Sequence, residues 1–105
     1  MKILHHPDRD NIHLTTVLSA LSDPIRLRLV CELAVSGEQS CGSFQYEIAK
    51  STMTHHVRTL RESGVIYVRV QGTQHFLSLR ANELEIRFPG LLTAILHAPK
   101  AGGNG

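Results

Sequence analysis

Residues 51–66 read STMTHHVRTLRESGVI. Met53, Val57 and Leu60 recur at i, i+4 and i+7, and Gly64 follows where a helix would close, so the spacing predicts an amphipathic helix from Ser51 to Ser63. Away from that apolar stripe lie Ser51, Thr52, Thr54, His55, Arg58 and Glu62. Threonine is a poor choice for an exposed helix that only needs to be soluble, because its branched side chain costs helix propensity. Short hydroxyls and an imidazole flanked by a cation are instead what base edges and phosphates in a DNA groove require.

Downstream, residues 65–70 (VIYVRV) and 75–79 (HFLSL) flank Gln71-Gly72-Thr73-Gln74 and predict a β-hairpin. Arg69 and His75 sit beside its turn, within reach of a nucleic-acid backbone or minor groove. Upstream, Ile12, Leu14, Val17, Leu18 and Leu21 predict a first helix over residues 10–21, capped by Asp10 or Asn11. Ser22-Asp23-Pro24 stops it and starts a second helix that runs to about Ser36, with Gly37 as its closing residue. In that helix Ile25, Leu29, Val30, Leu33 and Ala34 are expected to face inward, Arg26 and Glu32 outward. A short apolar segment with Phe44, Tyr46 and Ile48 follows a polar connection, and a last helix with Leu91, Leu92, Ile95 and Leu96 is expected from Pro89 to about His97. Short helix, tight connection, polar-faced helix and hairpin is the order of a winged helix-turn-helix: mainly α, with a β-hairpin wing.

The remaining composition narrows the partner. A chain of 105 residues suits one domain, and 42% hydrophobic with 19% charged residues is enough to form a core. We expect a mobile arm over residues 1–10, one domain over 11–97 and a disordered tail over 98–105. No apolar run approaches the ~18 residues of a membrane helix, the start MKILHHPDRD turns polar early, and Cys31 and Cys41 fit a reducing compartment, so a cytoplasmic protein is expected. The net charge is only +2, but between residues 50 and 80 Lys50, Arg58, Arg61, Arg69 and Arg80 oppose Glu62 alone, a distribution that points to a polyanion. Lys50, Arg61 and Arg69 are the phosphate or wing candidates. No Gly-rich phosphate loop, carboxylate pair or base fixed beside a thiol supplies the roles of an enzyme. A winged helix that only docks another protein is the alternative, against which stands a polar, basic face without aromatic or Met anchors.

Three segments, LSDPIRLRLVCEL at 21–33, STMTHHVRTLRESGVI at 51–66 and the hairpin with Gly72 and Phe76, resemble the ArsR/SmtB family of bacterial winged-helix repressors. Ser51, Thr54, His55 and His56 match that family's recognition-helix pattern of two hydroxyl residues followed by a histidine pair. The likeness covers roughly residues 12–97 and implies a homodimer built largely from the first and last helices, bound to double-stranded DNA and released by an inducer. Leu18, Leu92 and Ile95 are the residues expected at that seam. The familiar sensing sites are incomplete: one cysteine, Cys41, stands where a Cys-x-Cys pair would be, His97 alone represents the ligands of the last helix, and Cys31 lacks a thiol partner on that helix. No cofactor is required by this reading. For the effector, Cys41 with His5 or His6 from a partner subunit's arm forms a candidate zinc-type site, and oxidation of Cys31 and Cys41 is the rival. The plainer alternative is two packed thiols and a solvated histidine arm.

Overall fold

Asp23 shows how local chemistry sets the architecture. Its Oδ2 accepts from the amides of Ile25 (2.9 Å) and Arg26 (3.1 Å), and Pro24 fills the first helical position, so a helix starts there and the preceding one must end. The computed structural model describes residues 4–99. Along them run α1 (Leu14–Ala20), α2 (Pro24–Ser36), β1 (Gln39–Ser40), α3 (Lys50–Glu62), β2 (Ile66–Gln71), β3 (Gln74–Leu79), α4 (Ala81–Arg87) and α5 (Leu91–Leu96), with 3-10 turns at Arg9–Asn11 and Cys41–Ser43. The fold is a winged helix-turn-helix: α2 and α3 form the motif, and β2 and β3 the wing.

The strands form one antiparallel sheet in the order β1-β3-β2, with Val68 opposite Leu77 and Ile66 opposite Leu79. Ile66, Val68 and Leu77 turn toward α2 and α3, where Leu29, Val30, Leu33, Val57 and Leu60 complete the core. Tyr67 and Arg69 alternate onto the open face. β1 contributes only Gln39 and Ser40, beside Leu77 and Phe76.

Several expectations are corrected. α1 begins at Leu14 rather than near residue 10, because Ile12 is extended and fully buried and its carbonyl accepts from the Arg87 guanidinium at 2.6 and 3.1 Å. α5 begins at Leu91, since Gly90 at φ 83° makes the bend that Pro89 introduces. Ala34 is exposed, not inward. Of the segment expected to be a mobile arm, residues 1–3 lie outside the described residues; in the rest, Arg61 donates to the His5 carbonyl, the Val68 amide to His6 Nε2 (2.9 Å), and Arg80 to the Pro7 carbonyl (2.8 Å). Two of these contacts satisfy arm carbonyls with arginine donors, and the third satisfies an amide of β2, an outer strand whose edge needs acceptors. The expected tail falls, from residue 100 on, outside the described residues. Leu92, placed on the seam by its sequence, is 8% exposed and part of the core, and Ile95 packs half-buried against it. Leu18 is 44% exposed, as is its neighbour Leu14 one turn away at 43%. Among the described residues no helix is long and apolar enough to cross a membrane.

Candidate nucleic-acid interface

At about 100° per residue, Met53, His56, Val57 and Leu60 fall on one side of α3, and that side is buried or half-buried. Ser51, Thr52, Thr54, His55 and Arg58 fall on the others, and all five are exposed. The helix opens on Ala49, which has no side chain to accept from the first amides, so the positive end of the helix dipole faces outward with Lys50, Ser51 and Thr52. The Thr54 hydroxyl donates to the Lys50 carbonyl at 3.0 Å, which leaves its oxygen lone pairs to accept. Lys50 and Arg58 are exposed and make no ion pair among the described residues.

The other two expected cations are engaged elsewhere. The Arg61 side chain is only 13% exposed, and its guanidinium holds the His5 carbonyl and lies 3.8 Å from Glu62. On the wing, Arg69 donates to both Glu38 oxygens (3.3 and 3.0 Å) and to Gln71 (2.6 Å), with its guanidinium carbon 4.5 Å from the centre of the Phe76 ring. Its hydrogen bonds hold the Glu38 carboxyl below the usual range. Between the start of α3 and the wing turn lies a groove of about 550 Å³, lined by Lys50, Met53, Thr54, Cys41, Thr73 and His75.

Within a single chain the effector candidates lie apart. His6 Nε2 accepts the Val68 amide at the β2 edge, whereas Cys41 follows β1 at the opposite edge of the sheet, so two strand spacings separate them within the chain. Burial, then the charges of Arg61 and Arg80, holds the His6 ring below the ordinary imidazole range, and burial pushes the Cys41 thiol up. Cys31 lines a separate groove of about 760 Å³ on the outer side of α2, with Leu27 and Val35. Among the described residues no three His, Cys, Asp or Glu side chains are grouped to hold a metal ion.

Reading the chain missed Arg26. Expected to point outward, it turns inward, and its Nε donates to the Ala20 carbonyl at the end of α1 (2.7 Å) while a terminal nitrogen meets His56 Nδ1 (3.1 Å). Its position one turn into a helix capped by Asp23 was the available signal, because the start of α2 must pass close to the end of α1. Partial burial would raise the Asp23 carboxyl, but the amides of Arg26 and Ile25 and the Arg26 charge hold it down.

Comparison with known proteins agrees with this geometry. A helix-turn-helix domain family matches residues 21–69. The chain is 35% identical over 82 residues to the HTH-type transcriptional regulator YceK of Bacillus subtilis (strain 168), covering 75% of this chain and 82% of that one. It is 35% identical over 86 residues to a biofilm growth-associated repressor of Agrobacterium fabrum, covering 80% and 72% respectively. The crystal structure of the transcriptional repressor BigR from Xylella fastidiosa matches with a TM-score of 0.60 at 31% identity, over 83% of this chain and 88% of that one. A crystal structure of an ArsR family transcriptional regulator shares the fold at a TM-score of 0.63 and 21% identity, over 76% and 89%.

Proposed function

The chain belongs to the ArsR/SmtB family of winged helix-turn-helix DNA-binding transcriptional regulators, and from that premise we propose that it represses transcription as a homodimer on an inverted repeat. One observation carries the assignment of residues: the polar row Ser51, Thr52, Thr54, His55 and Arg58 stands clear of the core on a helix whose uncapped positive end faces outward. In this reading those five side chains enter the major groove, and Lys50 meets a phosphate. The groove between α3 and the wing takes the sugar-phosphate backbone, with Thr73 and His75 on its far wall. Arg61 and Arg69 join only by exchanging the partners they now hold. Two-fold pairing through Leu14 and Leu18 of α1 would place two copies of α3 on half-sites about one helical turn (~34 Å) apart.

Selection of bound sequences from a random DNA pool tests the reading. An inverted repeat is expected, with affinity that falls steeply as salt rises. If the Arg58 guanidinium touches phosphate from within the groove, Arg58→Ala is expected to weaken binding to all sequences, whereas Thr54→Ala and His55→Ala relax preference at particular base pairs by ~1–3 kcal/mol. Unchanged selectivity in both of the latter removes them from the reading set, and a pool with no enriched sequence favours a protein-docking role. Titrating the complex with zinc, and separately with a mild oxidant, addresses the effector: release by zinc that needs Cys41 and the arm histidines supports the metal site, and release by oxidant supports the thiols.

A further inference from the structure

The apolar side of α3 fixes how deeply the helix is seated and which side is buried, but defines the last ~20° of its roll only weakly. Hydrophobic contact is non-directional, so Val57 and Leu60 tolerate some rotation of the helix about its own axis. Base reading does not. At a side-chain radius of ~5–6 Å, a roll of about 20° carries a side-chain tip ~2 Å around the helix, against a tolerance of about 0.5 Å for a working constellation. A directional contact on the buried side narrows the roll that packing leaves open.

Among the described residues His56 supplies one. Its residue is 7% exposed, immediately beside His55 in sequence, and its Nδ1 lies 3.1 Å from an Arg26 terminal nitrogen. An arginine N–H can only donate, so Nδ1 accepts and the ring proton sits on Nε2. Arg26 is itself fixed, because its Nε donates to the Ala20 carbonyl at 2.7 Å and its backbone amide is held by Asp23. One guanidinium therefore joins the end of α1, the first turn of α2 and the buried side of α3. Asp23 Oδ2 already accepts two amides and lies 3.8 Å from His56 Nδ1, placing its charge beside this junction.

We propose that the Arg26–His56 hydrogen bond is a positioning contact that sets the roll of the recognition helix, so that His56 governs sequence selectivity without touching DNA. The proposal rests on the DNA-binding reading above. It also separates the two histidines of the His55-His56 pair: His55 faces outward and reads, His56 faces inward and aligns.

The test compares His56→Leu, which fills the site without an acceptor, with His56→Asn, whose Oδ1 is attached where Nδ1 is attached. Each variant of the 105-residue chain is measured against the sequence selected by the wild type and against unrelated duplex DNA at one salt concentration. His56→Leu is expected to lose about tenfold or more in affinity for the selected sequence while binding unrelated DNA within about twofold of wild type, so the specificity ratio collapses. His56→Asn is expected to keep most of that ratio, a rescue that loss of packing alone would not produce. If His56→Leu does not fold, Arg26→Lys is read by the same ratio, since one ammonium cannot reproduce the forked donation to Ala20 and His56. A wild-type ratio in His56→Leu overturns the proposal, as does an equal loss in His56→Asn. A wild type that selects no sequence overturns the DNA-binding reading first and this proposal with it.

Discussion

At Gly64 the backbone leaves α3 with φ 89°, and a side chain there would place its Cβ 2.6 Å from Ile12 Cγ1 and 2.9 Å from Cδ1. Both facts oppose any other residue. The left-handed conformation costs an L-residue roughly 1–2 kcal/mol, and forcing a methyl into a packed core costs a further ~1–3 kcal/mol. Ile12 has little room to yield, since it is fully buried and its carbonyl is tied to Arg87. Gly64→Ala is therefore expected to lower the unfolding free energy by about 3 kcal/mol with an unchanged dependence on urea concentration. A loss below about 0.5 kcal/mol in urea unfolding would show that Ile12 gives way. Half of this arrangement is legible in the chain. Gly64 closes a clear helical period, but Ile12 reads as the first residue of a helical stripe, because nothing in its neighbours says that the backbone is extended there.

Elements whose apolar residues keep a period were readable, and those held by polar contacts were not. α2, α3 and the hairpin follow from spacing, whereas α4 buries Leu84 as its one fully buried residue and is anchored by Arg80 to Glu83 (3.0 and 2.8 Å) and by Arg87 to Ile12. Polar anchoring also changes what the wing offers DNA. Arg69 looks like a free wing cation in the sequence, yet Glu38 lies before β1, and the sheet order brings β1 to the wing without any local pattern to announce it. An operator phosphate would have to displace that carboxylate. Glu38→Gln removes a competing anion and releases Arg69, so DNA affinity is expected to rise and the slope of log K against log salt to steepen by about 1. Binding isotherms at several salt concentrations measure it; an unchanged slope would place Arg69 outside the phosphate contacts.

At the scale of the whole molecule the question is which apolar residues this chain covers by itself and which it leaves open, as the proposed homodimer would need. Composition cannot separate the two, because a leucine in a core and a leucine in an interface carry the same hydrophobic signal; Leu18 and Leu92 were indistinguishable on that ground. The fold separates them. Leu92 sits in the core at 8% exposure, while Leu14 and Leu18 line one exposed side of α1. Two neighbouring leucines on an open helix face are the start of an apolar patch that a monomer gains nothing by showing. Leu92→Asp is thus expected to unfold the chain, since an unpaired carboxylate would be buried. Leu18→Glu is expected to fold with near wild-type thermal stability per protomer but to sediment as a monomer at micromolar concentration. It should bind an isolated half-site as the wild-type protomer does, and lose the gain that two linked half-sites provide. Analytical ultracentrifugation beside thermal melts distinguishes these outcomes. A wild-type monomer at micromolar concentration would end the homodimer proposal, and a Leu18→Glu variant that still sediments as a dimer would move the interface away from α1.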